Sequence, residues 1–305
     1  MSVAHMASGE RRPLRAAHFP VHAVLIAAGV ALLVLWTLAP VYWMIVTSIS
    51  PGKDLLTPVP HWIPQDPTLV RYQGIFSSGQ VALLSGTTNS PGMAILQGVL
   101  HSLFVAVATT LLCLFFGQLA AYAMSRLQFR GKRALMLSLI AAQMLPAIAL
   151  VIPLFFIVRT LGLVDTPLAL ILTYSGFTIP YVVWVMTGYL DGIPFELEEA
   201  ALLDGCSRLQ TMVFVTLPLA VPGLVAVGIF SFLIAWNEFL YALTFTYTSA
   251  SKTLTVVISE FSTQFGLDYG MVATGGVIAS VPPVVLALFF QRYIVSGLSA
   301  GAVKG

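Results

Sequence analysis

DGIPFELEEAALLDGCSRLQTMVFVTLP, Asp191 to Pro218, is the one densely charged stretch in a chain that is otherwise mostly apolar. Asp191, Glu196, Glu198, Glu199 and Asp204 crowd into it together with Arg208. The runs on either side are free of charge for the roughly 20 residues a helix needs to cross a bilayer. The stretch therefore reads as a polar connection between two membrane crossings. Its acids suit it to docking against a basic cleft in a soluble partner.

The rest of the chain agrees with this reading. Of 305 residues, 58% are hydrophobic and 9% charged, and the mean hydropathy is +0.93. Soluble domains carry about 25% charged residues, so the composition specifies an all-α membrane protein with several spans. The net charge of +2 implies no nucleic-acid partner, because the Lys and Arg residues lie in short connections rather than on one face. Cys113 lies in an apolar run and Cys206 in the charged stretch, so both are expected as free thiols.

Charge-free windows of spanning length fall at about residues 21–48, 101–125, 134–158, 168–190, 213–236 and 271–291, which makes six transmembrane helices. Residues 16–52 contain no Asp, Glu, Lys or Arg. That run is too long for a secretion signal, whose apolar core is about 7–15 residues, and the first span reads as a retained anchor.

Orientation follows from the distribution of Lys and Arg. With the N-terminus inside, Arg11, Arg12, Arg15, Arg126, Arg130, Lys132, Arg133, Arg208, Arg292 and Lys304 face the cytoplasm, and Lys53, Arg71, Arg159 and Lys252 face outward. Both termini and the charged loop are thus expected on the cytoplasmic side. The expected organisation is a cytoplasmic segment at 1–20, a six-span domain at 21–293 and a cytoplasmic tail at 294–305. The six-span domain includes an external connection at 49–98 and the charged loop at 191–218. The connection 49–98 carries Trp62, Tyr72 and Phe76, and Gly86, Pro91 and Gly92 argue against a helix over 81–96. The basic connection SRLQFRGKR, Ser125 to Arg133, reads as an orientation signal in contact with lipid headgroups.

Prolines at 146, 153, 180, 222, 282 and 283 lie inside the expected spans. Each removes a backbone donor and bends its helix. No ionisable side chain lies deep in a span, since His101 and Glu238 are near span ends. This excludes a proton relay or voltage sensor.

Within the charged stretch, Pro194 suits the first turn of a helix, and Glu196, Glu198 and Glu199 favour the positive end of its dipole. Gly205 is expected to end that helix in a left-handed cap. Ser207 and Gln210 have the capping-box spacing that starts another. Leu197, Ala200 and Ala201 share one face of the first helix and leave a shallow, close-approach surface.

Glu199-Ala200-Ala201, Asp204-Gly205, nine residues, Val215, one residue and Leu217-Pro218 together resemble the EAA loop of ABC-importer permeases. The family pattern has Ile where Val215 stands. The likeness extends to Ala121–Arg133, Leu161–Leu172, Ala235–Leu243 and Gly297–Gly305, and is to the carbohydrate-uptake permeases similar to the six-span maltose-importer subunit. The resemblance implies a type I importer permease fold in a bacterial inner membrane. It also implies that Glu199, Ala200, Ala201, Asp204, Gly205, Leu217 and Pro218 form coupling helices seated on an ATPase. The tail, with Gly297, Gly301 and Lys304, would reach the interface between two ATPase subunits. Expected partners are a second, homologous permease, two ATP-binding subunits, a solute-binding protein and membrane lipid.

The chain itself carries no G-x-x-x-x-G-K-[ST] phosphate loop and no His/Cys metal cluster. It is read as a non-enzyme that binds no cofactor, with ATP and Mg held by partners. Asn237, Glu238, Tyr241, Gln143 and Tyr181, with Tyr174 and Thr178 beside them, are candidates to line a sugar path. The expected cargo is a di- or oligosaccharide such as maltose or trehalose, with glycerol phosphate or another polyol as the alternative. A stand-alone secondary transporter is disfavoured by the missing intramembrane charges.

Overall fold

A computed structural model describes residues 21–57, 61–85, 90–262 and 268–302. Among these, every regular element is helical, as lipid demands of backbone groups that have no water to pair with. Two units are recognised, residues 1–43 and 44–305. The first contributes most of α1 (Val21–Ile49), an apolar helix in which the Thr37 hydroxyl donates back to the Leu33 carbonyl at 2.8 Å.

The second unit continues through α2 (Gly52–Leu55), α3 (Val70–Ser85) and α4 (Pro91–Arg126). After these come α5 (Lys132–Ala142), α6 (Ala147–Thr160), α7 (Pro167–Asp191), α8 (Glu196–Leu203) and α9 (Arg208–Thr211). A π-helical turn (Met212–Thr216) then leads into α10 (Leu217–Asn237), followed by α11 (Leu240–Phe245), α12 (Leu254–Glu260) and α13 (Tyr269–Ala302). Among the described residues, five helices are long and apolar enough to cross a membrane, and α5 with α6 makes a sixth crossing if that bent pair is one span.

Three expectations are corrected. The span expected at 134–158 is broken, with α5 and α6 meeting at 98°. Pro146 has no N–H to continue α5, and it stands in extended backbone as the residue before α6. The connection expected at 49–98 holds α2, α3 and the first turns of α4. Ser90 and Pro91 start α4 as cap and first residue, the Ser90 hydroxyl accepting from Met93 N–H at 3.2 Å. Gly92 is there because α3 crosses at that point: a Cβ on it would lie 2.7 Å from the Gly74 carbonyl oxygen. With α4 starting at Pro91, His101 lies well inside the helix and not near its end.

Packing centres on α4, α7 and α10. Small residues let these helices approach closely, as is usual where lipid gives no hydrophobic drive between helices. A Cβ on Gly117 of α4 would lie 2.5 Å from Val182 of α7, and one on Gly223 of α10 would lie 2.8 Å from the Tyr189 ring. Arg71 at the start of α3 donates to the carbonyls of Ser48 and Ser50 at 3.2 and 2.7 Å, closing the end of α1.

Asp165, between α6 and α7, has φ +62, a backbone form that Asp tolerates better than most residues. Its carboxylate accepts from the N–H groups of Tyr247 and Thr248 at 2.8 and 3.0 Å, and from the hydroxyls of Thr248 and Ser251. Burial raises its pKa, but hydrogen bonds from Ser251, Tyr247 and Thr248 outweigh this and lower it to about 2. A depressed carboxylate contributes stability that is complete above its unfolded value of about 3.9 and is lost as the pH falls toward 2. Asp165→Asn keeps the backbone preference and removes the charge. It is expected to cost about 1–2 kcal/mol at pH 7, discounted for partial exposure. Unfolding of the detergent-solubilised protein across pH should show the gap from wild type closing below about pH 3.

Candidate docking surface and transport path

The charged loop folds as two short helices about a glycine. At the end of α8, Gly205 has φ +90, and its N–H donates to the Leu202 carbonyl at 3.1 Å while Cys206 N–H donates to Ala201 at 3.0 Å. This is the paired bonding of a Schellman cap. The Ser207 hydroxyl then accepts from Gln210 N–H at 3.3 Å, and the Gln210 side chain accepts from Ser207 N–H at 2.8 Å, completing a capping box. Pro194 is not in the first turn of α8: it precedes Phe195, whose carbonyl accepts from Glu198 and Glu199.

Glu196, Glu199, Ala200, Asp204 and Gly205 are exposed, and Ala201 is half-buried. Around the elbow, Leu203 is 88% exposed and Leu209 66% exposed. Large apolar side chains so bare in a segment with three exposed carboxylates give it the mixed composition of an interface. Leu217 and Pro218 open α10 behind it. Pro218 brings no N–H to the helix, and the chain answers with the π turn, Leu217 N–H reaching back to the Met212 carbonyl.

Glu198 departs from the sequence reading. It is buried, with 2% of its side chain exposed, and pairs with Arg126 Nε at 2.7 Å. Tyr122 also donates to it at 3.1 Å. The Arg126 guanidinium donates further to the Ile193 carbonyl at 3.0 Å and lies 5.7 Å from the centre of the Phe195 ring. Next to it, the Ser125 hydroxyl donates to Asp191 at 2.6 Å. Arg126 and Ser125, read from sequence as parts of an orientation signal, thus fasten the loop to the end of α4.

The path candidates divide. Glu238 caps α11: its carboxylate accepts from Tyr241 and Ala242 N–H at 2.9 and 3.2 Å and from the Tyr174 hydroxyl at 2.6 Å. Tyr241 is buried, stacks on Phe177 with ring centres 5.4 Å apart, and donates to the Ala147 carbonyl at 2.9 Å. Gln143 donates to the Phe177 carbonyl at 2.9 Å. These residues draw the α5–α6 break and the α10–α11 break onto α7. Asn237 is exposed and bonds its own helix at the Leu233 carbonyl, and Tyr181 is half-buried against Phe230. Thr178 is buried, its hydroxyl without a partner among the described residues. Gly297 and Gly301 lie in the last turns of α13, while Lys304 falls outside the described residues. Among the described residues, no three of His, Cys, Asp and Glu gather as a metal site.

Residues 113–300 match the family model for the binding-protein-dependent transport system inner membrane component. The chain is 38% identical over 276 residues to the trehalose transport system permease protein of Mycobacterium tuberculosis, covering 90% of this chain and 95% of that one. It is 35% identical over 288 residues to the trehalose/maltose transport system permease protein of Thermococcus litoralis, covering 92% and 97%. A crystal structure of a bacterial ABC transporter for import of the acidic polysaccharide alginate has a chain of the same fold, with TM-score 0.76 and 20% identity over 92% of this chain and 99% of that one. With its multiple spans, its polar elbow and a family match over most of its length, the chain belongs to the binding-protein-dependent inner membrane components, the non-enzymatic permease subunits of ABC transporters.

Proposed function

We propose that the chain forms half of the translocation path of an ATP-driven, solute-binding-protein-dependent importer whose cargo is a di- or oligosaccharide. The observation that carries this reading is the elbow about Gly205, with bare Leu203 and Leu209 on either side of it and Glu196, Glu199 and Asp204 exposed on α8 and at its end. A chain without a nucleotide-binding motif borrows its energy through such a surface. Glu199, Ala200, Ala201, Asp204, Gly205, Leu217 and Pro218 would seat in a groove of an ATP-binding subunit that holds the ATP and Mg, with both termini and the elbow on the cytoplasmic side. Gly297, Gly301 and Lys304 would approach the same subunits. A second permease completes the path, and a solute-binding protein delivers the sugar at the far side. The trehalose and maltose in the relatives' names support a glucose disaccharide as cargo.

Closure of the two ATP-binding subunits would draw paired elbows together and tilt the bent helices from inward- to outward-facing. This is a two-state element biased by a ligand that it never contacts. Asn237 and Tyr181 keep their place as candidates to meet the sugar. Glu238 and Tyr241 would act by holding the two helix breaks in position. The complete importer in proteoliposomes, offered trehalose, maltose and glycerol 3-phosphate, is expected to take up a disaccharide only with ATP and the binding protein present. Uptake driven by an ion gradient without ATP-binding subunits would overturn the reading. Uptake of glycerol 3-phosphate alone would replace the cargo.

A further inference from the structure

Among the described residues, α4 is the one helix long enough to cross a membrane that has no proline in its interior. Its 36 residues make a rod of about 54 Å at 1.5 Å per residue. The rod is fastened at its last residue, and again part-way along, to something other than a spanning helix. At one end Arg126 and Tyr122 hold Glu198 of α8 in a buried cluster, while the link from α7 to α8 is the non-helical segment 192–195. Part-way along the rod, well inside its first residue Pro91, the buried Ser102 hydroxyl accepts from Leu254 N–H at 2.8 Å, fixing the first residue of α12. His101 Nδ1 lies 3.2 Å from the Lys252 carbonyl, and Gly98 sits so close to Leu254 that a Cβ there would be 3.0 Å from its Cα. Lys252 is in turn paired with Glu260 at 2.5 Å, which ties the two ends of α12 together.

We propose that α4 is a rigid rod carrying displacement between the docking helix α8 and the α12 segment held at Ser102, with Arg126 as the positioning residue that clamps α8 to it. The proposal rests on the reading of α8 as an ATPase-docking helix and adds how motion leaves it. Covalently α8 continues α7, but its buried charge is bonded to α4. A push on α8 therefore reaches α4 through a charge-assisted bond in a desolvated site, where such bonds are strongest. The rod passes the motion on to Leu254 through the bond from its N–H to the Ser102 hydroxyl, with no proline hinge between the two attachments. Occupancy at the α12 attachment and nucleotide state at the α8 end are then coupled, and by linkage the coupling acts in both directions.

The test uses the complete importer in nanodiscs, with Cys113 and Cys206 replaced and spin labels on the exposed positions Leu203 of α8 and Leu100 of α4. The distance between the labels is expected to be the same with and without ATP while the importer turns over. Arg126→Ala should broaden that distance and lower sugar moved per ATP hydrolysed by about tenfold, with Arg126→Lys recovering part of it. A wild-type distance that changes with nucleotide in a working importer overturns the rod, and this measurement stands even if Arg126→Ala fails to assemble. An Arg126→Ala complex with wild-type distance and wild-type yield per ATP also overturns it. ATP-binding subunits that do not bind the chain at all would overturn the docking reading, and the rod with it.

Discussion

Glu198→Ala is expected to destabilise the protein by about 3–5 kcal/mol, because it leaves the Arg126 guanidinium buried without its counter-charge. The side chains are 8% and 2% exposed, so water cannot replace the lost partner without opening the site. Replacing both residues with Met removes the two desolvation costs together and fills similar volume, and such exchanges are often neutral or stabilising by about 1–4 kcal/mol. Tyr122→Phe removes one donor and leaves the ion pair, which predicts a loss of about 1 kcal/mol. Unfolding titrations in mixed detergent should rank the four proteins with Glu198→Ala lowest, Tyr122→Phe next, and the double Met variant at or above wild type. Equal midpoints for Glu198→Ala and wild type would show that the pair is solvated. The double variant separates stability from transmission, since it keeps the packing of α8 on α4 and loses the directional bond.

The elbow was legible from sequence because its signals are local. Gly205, Ser207 and Gln210 act on neighbours within a few residues, and the structure has the left-handed glycine and the capping box they specify. Ser90-Pro91 is equally local and marks the start of α4, but Pro91, with Gly86 and Gly92, reads as a helix breaker unless Ser90 is taken as its cap. Gly92 answers to the crossing of α3, which is not visible in the segment itself. Glu198 and Arg126 stand 72 residues apart, and each had a complete local explanation, one as a helix-dipole acid and the other as an orientation charge. Neither explanation hinted at the other. Glu238 hid a use for a related reason: a carboxylate at a span end suits a polar path, and its further use as a cap of α11 depends on the chain breaking at Phe239. The 98° bend was foreshadowed by Pro146, but its size was not, because proline tells only that a donor is missing and not how far the chain turns.

Gly205→Val is expected to cut coupled transport by about tenfold or more while the chain still inserts and folds. No atom lies within 4 Å of the place its Cβ would occupy, so the cost is not a clash. It lies in the backbone: at φ +90 an ordinary L-residue is strained by about 1–2 kcal/mol, and a β-branched one by more. The chain relieves that strain by leaving the left-handed region. That breaks the bonds from Gly205 and Cys206 to Leu202 and Ala201 and swings α9 away from α8. Leu203 and Leu209, on either side of the elbow, then no longer present one surface. Insertion depends on the spans and should be unaffected. Gly205→Asn is the matched control, since Asn enters the left-handed region readily. Uptake by the complete importer should fall by about tenfold or more for Val, as a strain of that size shifts a two-state population, and by far less for Asn. Equal loss in both variants would point to the open space above Gly205, filled when the partner docks, as the feature that matters. In that case Gly205→Ala, the smallest side chain, should already weaken co-purification of the ATP-binding subunit.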